Sequence, residues 1–243
     1  MLTGFTSGKG APGATLAVAN IGVRGVARGE SVLALDLDPL GGVLSAYLGG
    51  DPAKGLWPLA YGGAEPTPAA ILEQVQVLHR LPVVAGLPRA SDAGGINLAE
   101  VARAGARLAP HVLADAGRLP GPGVEVLAQC ERIVVVVVRD PVGILAGEQA
   151  LQVLGPGLRR RVALVVTGTA ARAELAEVGE LLGAQVLGGI PWDSDEVRRS
   201  REEQRPVMGK LARAYQRLAE VIVPSARAEA VPAPSRKVVA DGA

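Results

Sequence analysis

Ile133 to Val138 is an unbroken apolar run that ends in five consecutive valines and is bounded by Arg132 and Arg139. A strand with one face in water alternates apolar and polar residues, because successive side chains point to opposite faces. A run that does not alternate needs cover on both faces, and sheets covered on both faces are the mainly parallel sheets of α/β proteins. The flanking chain supplies that cover. Residues 2–6, 31–36, 81–86, 111–115, 161–167 and 185–190 read as further strands. Residues 15–28, 69–80, 96–109, 142–154, 172–182, 196–203 and 207–222 read as helices between them. The expected fold is α/β: one doubly wound, mainly parallel sheet with helices on both faces, over residues 1–222. Residues 49–68, rich in glycine and proline, read as a long surface loop. Residues 223–243, rich in alanine, proline, serine and charge, read as a disordered tail.

Composition narrows the functions such a fold can carry. Aromatic residues are 2% of the 243, so the core must be aliphatic. The formal net charge of +1 is too balanced for a surface that coats DNA, although a local basic patch is compatible with it. Cys130 is the single cysteine, which excludes a disulfide framework and a cysteine metal site. Its expected place is the core. His79 and His111 follow no ligand spacing and read as structural. No apolar stretch reaches the roughly 18 residues of a membrane-spanning helix, and the N-terminus lacks the basic start and long apolar core of a signal peptide. A soluble, cytoplasmic protein is expected.

In a doubly wound sheet, ligands bind at the carboxyl ends of the strands. Two motifs fall there. The first strand runs into Gly8-Lys9-Gly10-Ala11-Pro12-Gly13-Ala14-Thr15-Leu16 and then a helix. Glycines let backbone N–H groups turn toward a phosphate, the helix N-terminus adds positive potential, and a terminal threonine hydroxyl suits Mg²⁺. Against the pattern G-x-x-x-x-G-K-[ST], Gly8, Gly13 and Thr15 are in register and Ala14 replaces the lysine. The second strand ends in Asp36-Leu37-Asp38-Pro39-Leu40-Gly41. An Asp before proline is common in turns and caps, but two carboxylates at this strand end could also hold Mg²⁺ through water or place an attacking water.

Together these motifs resemble the MinD/ParA family of deviant Walker A proteins, whose loop reads K-G-G-x-G-K-[ST] and whose second strand ends D-x-D-P-Q-G. Further along, Val112-Leu113-Ala114-Asp115-Ala116-Gly117-Arg118 resembles the family's Walker B strand and switch region. Val162 to Thr167 and Gly188-Gly189-Ile190-Pro191-Trp192-Asp193 resemble the two segments that border the adenine, and Pro206-Val207 the motif before the last helix. The likeness covers about residues 1–222. It implies ATP or ADP with Mg²⁺ as cofactors. Lys9 would be the signature lysine that reaches a partner's phosphates in a nucleotide-dependent homodimer. Gly8, Gly10, Ala11, Pro12, Gly13, Ala14, Thr15 and Leu16 would form the phosphate loop. Thr15, Asp36 and Asp115 would hold the metal, and Asp38 would place the hydrolytic water. Gly117 would follow the phosphates, and Thr167, Pro191 and Asp193 would surround the base.

The chain departs from the pattern at Ala14. Losing a cation beside the β- and γ-phosphates removes transition-state stabilisation, on the order of a hundredfold or more in rate. ATP binding with slow or absent hydrolysis is therefore expected. A loop with alanine in place of the lysine resembles the CpaE/TadZ branch, whose members help localise Tad (Flp) pilus or related secretion machinery, and that implies protein partners in such a system at the cell envelope. Two other roles compete. A ParA-type partition protein would bind DNA non-specifically, with Arg159-Arg160-Arg161 and Arg198, Arg199 and Arg201 as contacts. A MinD-like membrane regulator would need an amphipathic C-terminal helix, and residues 224–243 make a poor one. A metabolic ligase is disfavoured because no substrate domain is visible. Trp192, beside Pro191, could stack near a base or simply pack.

Overall fold

The computed structural model describes residues 1–8 and 13–225. It contains one eight-stranded sheet: β1 (Leu2–Gly8), β2 (Val32–Asp36), β3 (Gln76–Leu78), β4 (Leu81–Val84), β5 (His111–Leu119), β6 (Arg132–Val138), β7 (Val162–Gly168) and β8 (Gln185–Pro191), in the order β3-β4-β2-β5-β1-β6-β7-β8. Every neighbouring pair is parallel except the β3–β4 hairpin. The helices are α1 (Ala14–Ala27), α2 (Leu44–Tyr47), α3 (Leu56–Gly62), α4 (Pro68–Glu73), α5 (Leu98–Gly105), α6 (Val124–Ala128), α7 (Pro141–Arg159), α8 (Arg172–Leu182), α9 (Ser194–Glu202) and α10 (Gly209–Ile222).

The valine run behaves as its pattern requires. Ile133, Val135 and Val137 join one core layer with residues of α5 to α8, while Val134 and Val136 join the other, with α1 and α10. Phe5, the one phenylalanine, is fully buried in the second layer. The amphipathic character of α10 is explained by this packing. Leu211, Ala214, Tyr215, Leu218, Ala219 and Ile222 are all buried, and the helix lies on α1 and β8.

Helices α2 and α6 were not expected, and four further segments differ from expectation. The segment 49–68 is not one loop: it holds α3, whose Leu56, Leu59 and Ala60 face the core while Trp57 and Tyr61 pair on its outer side at 4.8 Å. The segment 69–80 is not one helix. It is helical only through Glu73, capped at its start by Thr67, and then turns into β3 and a tight hairpin. That hairpin turns at His79 and Arg80, both with positive φ, and neither is a residue that signals such a turn. Strand β5 runs four residues past Asp115 because Arg118 and Leu119 pair with Ser7 and Gly8 of β1. Helix α7 breaks at Gly155 (φ 61°) and resumes as far as Arg159.

Strand β1 lies between β5 and β6, so the chain leaves it in one direction across the sheet and later returns on the other side. Such a reversal opens a crevice at the carboxyl ends of the strands. The ends of β1, β2 and β5 lie on one side of that crevice, and those of β7 and β8 on the other.

Candidate functional site

The site begins at the N-terminus of α1. Gly13 stands at the cap position, and among the described residues no side chain caps the helix and no acidic residue lies in its first turn. The first bond within the helix runs from the Ala17 N–H to the Gly13 carbonyl, so the N–H groups of Ala14, Thr15 and Leu16 lie ahead of it. A helix end left in this state carries positive potential suited to an anion.

Thr15 projects from that turn onto β5. Its hydroxyl donates to Asp115 Oδ2 at 2.5 Å, and the Gly117 N–H donates to Asp115 Oδ1 at 3.1 Å. Asp38, just beyond β2, accepts from the Leu40 N–H at 2.8 Å. Its carboxylate packs against Gly117, whose φ of 69° and close approach both require glycine. Thr15, Asp38, Asp115 and Gly117 line a cavity of about 400 Å³, with Ala14 and the cationic Arg118 also in its wall. A second cavity of about 500 Å³ adjoins it. Thr167, Ile190, Pro191, Trp192, Val197 and Leu211 give it a mostly apolar wall. The two share Gly13, Leu16 and Arg201. The composite can take a ligand with a flat apolar end and an anionic, metal-binding end.

Asp36, expected in the metal shell, does not line either cavity. It is fully buried, accepts from the Leu44 N–H at 2.8 Å and from the Asp38 N–H at 3.4 Å, and packs against Gly42 and Gly86. Its carboxyl braces the turn that leads from β2 into α2. Burial, reinforced by the neighbouring Asp115 charge, pushes its pKa up to about 8. Burial also raises Asp115, to about 6, against the pull of the Thr15 and Gly117 hydrogen bonds. Asp38 is raised by desolvation, opposed by the Leu40 N–H and the Arg118 charge.

The other expected site residues divide. Gly8 ends β1 where any side chain would strike the backbone of Ala146 on α7, so helix packing alone requires glycine there. Thr167 and Pro191 lie one register position apart at the ends of the neighbouring strands β7 and β8, and both line the apolar wall. Asp193 also lines that wall, but its carboxylate is occupied: it caps α9 through the Glu196 N–H and pairs with Lys210 at 3.3 Å. Trp192 is 60% exposed at the rim. Lys9, Gly10, Ala11 and Pro12 lie outside the described residues, as does the tail from residue 226 onward. Sequence reading quoted Arg118 only within the segment that resembles the Walker B strand and switch region, read Arg201 only as part of a surface cluster, and did not place Tyr47 in the site. Nothing in the local pattern of Tyr47 or Arg201 marks them, since the fold brings them to the crevice.

The donor chemistry fits Mg²⁺ bound together with phosphate. Thr15 and Asp115 offer hard oxygens, and Mg²⁺ is usually held by one or two protein oxygens, with phosphates and water completing its shell. Among the described residues no group of three or more His, Cys, Asp or Glu side chains could hold a metal alone. The arginine clusters considered for DNA are largely tied within the chain. Arg159 donates to the Leu182 carbonyl and Arg161 to the Cys130 carbonyl, while Arg198 and Arg199 pair with Asp195 and Glu196. No helix among the described residues is long and apolar enough to cross a membrane.

No family model and no curated protein matches the sequence. Solved structures do match in fold. A ParA family ATPase from Chlorobium tepidum superposes with a TM-score of 0.77 at 18% identity, over 90% of this chain and 98% of that one. The cell division ATPase MinD from Pyrococcus furiosus gives 0.76 at 21% identity, over 91% and 98%. A MinD from Pyrococcus horikoshii, solved as its Mg-ADP complex, gives 0.75 at 19%, over 91% and 95%. The chain thus has the fold of the MinD and ParA ATPases, along nearly its whole described length.

Proposed function

We propose that this chain is a MinD/ParA-type protein that binds ATP and ADP with Mg²⁺ and hydrolyses ATP slowly or not at all. The observation that carries the reading is the paired crevice: a helix N-terminus with no side-chain cap among the described residues, the Thr15–Asp115 contact and Ala14 on one side, and an apolar slot on the other. The base enters the slot over Thr167 and Pro191. The phosphates meet the first-turn N–H groups of α1, Mg²⁺ neutralises part of their charge, and Thr15 and Asp115 present their oxygens to the metal. Asp38 faces the same cavity, where it can orient a water. Ala14 offers no cation to the terminal phosphates, so binding outlasts catalysis.

A protein that binds without vigorous turnover suits a nucleotide-gated scaffold. We assign it to the localisation or assembly of a Tad (Flp) pilus or related secretion system, as in the CpaE/TadZ branch. It would act from the cytoplasm as a nucleotide-dependent homodimer in which Lys9 reaches the partner's phosphates, and protein partners would recruit it to the envelope. Support for this branch comes from the loop alanine.

The test is a paired titration on purified protein: binding of a fluorescent ATP analogue, and phosphate release in the same buffer, each with and without Mg²⁺. The wild type should bind in an Mg²⁺-dependent way with little release, and the Ala14→Lys variant should release phosphate on the order of a hundredfold faster. Absence of nucleotide binding by the wild type overturns the reading.

A further inference from the structure

The two cavities share three residues, and their chemistry at the crossing is uneven. Gly13 and Leu16 carry no charge. Arg201 is the one charged side chain, among the described residues, that lines both. A ligand that reaches from the apolar slot to the Thr15–Asp115 pair must pass it.

Arg201 also differs from the other arginines of its segment. Arg198 pairs with Asp195 at 3.4 Å, Arg199 with Glu196 at 3.4 Å, and Arg205 with Glu196 at 2.7 Å. Among the described residues Arg201 has no ion-pair partner, and its side chain makes no hydrogen bond. Arg118, the other cation in the polar cavity, lines that cavity alone, where its charge opposes the raised pKa of Asp38 and Asp115. Arg201 is therefore the cation, without ion pair or side-chain hydrogen bond among the described residues, that both cavities share.

The helix that carries it is anchored at both ends. Asp193 caps the start of α9. Glu196, buried in its first turn, accepts from Arg205 and from the Met208 N–H beyond the helix, each at 2.7 Å, and Ser200 near its end donates to the Arg205 carbonyl at 2.5 Å. Ser200 also bonds Tyr47 Oη at 2.5 Å, and Tyr47 itself lines the polar cavity. The base of the Arg201 side chain is thus held against the site while its guanidinium stays unengaged.

We propose that Arg201 is a phosphate-contacting residue, reaching the phosphates nearest the nucleoside from α9 and supplying, from outside the loop, positive charge that Ala14 does not. The inference rests on the nucleotide reading above. A guanidinium offers a planar fork of donors to phosphate oxygens, and a charge-assisted bond of this kind outweighs a neutral one. The crossing lies on the nucleoside side of Thr15 and Asp115, so the contact serves ADP and ATP alike.

The experiment measures the dissociation constants of ATP and ADP for the wild type, Arg201→Ala, Arg201→Lys and Arg199→Ala. Displacement by adenosine reads the apolar slot alone, and circular dichroism confirms the fold of each variant. Arg201→Ala should weaken both nucleotides about tenfold or more. Arg201→Lys should recover part of the loss. Arg199→Ala, which lines neither cavity, should match the wild type, and adenosine should bind all four equally. Wild-type binding with no change in Arg201→Ala overturns the assignment and leaves the nucleotide site standing. An equal loss for adenosine and ADP overturns it too, because Arg201 would then shape the slot rather than touch phosphate. A wild type that binds neither nucleotide overturns the site itself.

Discussion

Asp36 shows how two carboxylates of one motif can come to different surroundings. From the sequence, Asp36 and Asp38 are an equivalent pair at a strand end. In the fold, β2 ends at Asp36, whose carboxyl holds the turn that follows, and that turn carries Asp38 on to the cavity. A buried carboxyl with a pKa near 8 has a consequence for stability. The folded state keeps the proton over the range in which the unfolded chain, with a pKa of about 3.9, releases it. The folded state therefore binds more protons, and stability falls as pH rises from about 4 to about 8. Asp115 adds to the fall over the lower part of that window, up to about 6. Urea denaturation of the nucleotide-free protein in chelator, at a series of pH values, should show this decline. Asp36→Asn, which keeps an acceptor for the Leu44 N–H, should flatten it above about pH 6. A wild type equally stable across the window would show that the carboxyl is ionised in the fold.

Helix α1 does two jobs along its length. Its first turn faces the crevice, and its middle is fastened to the last part of the chain. Asn20 is fully buried and donates to Tyr47 Oη and the Leu16 carbonyl, while its carbonyl oxygen accepts from the Val207 N–H at 2.9 Å and from Arg24. Arg24 in turn donates to the carbonyls of Ala212 and Val207. Asn20→Ala would leave the buried Val207 N–H and Tyr47 hydroxyl short of partners. The expected cost is about 1–3 kcal/mol in urea unfolding. A loss within experimental error would mean that water replaces the amide. The pattern that made α1 legible was its Gly-rich start, just as the non-alternating valines made β6 legible. Helix α3 was legible in principle, through Leu56, Leu59 and Ala60 at helical spacing, but the glycines and prolines around it signalled a loop. Strand β3 was not legible, because three residues carry no period and the turn that follows uses His79 and Arg80 rather than glycine or asparagine. At the site, Thr15 could be read from the register of the loop and Asp115 through the resemblance of its segment, whereas Arg201 could not. Its place depends on where α9 lies over the crevice, which is tertiary information.

On the scale of the whole molecule, Cys130 reports on cooperativity. Its thiol is buried against Gly4 and Leu127, and burial pushes its pKa up to about 12. A thiolate is needed for attack on a disulfide or alkylating reagent. Native protein at pH 8 should therefore resist thiol labelling, and the labelling rate should follow global unfolding as urea is raised. Fast labelling in native buffer would mean that the β1–β6 end of the core opens by itself. The sheet's outline has a further consequence. At one margin it ends in β3, three residues long, folded back antiparallel and turned at two positive-φ residues. Such a margin is too short to template pairing with another chain. Strand-by-strand polymerisation from that side is blocked, so any growth into a fibre by edge addition would have to begin at β8.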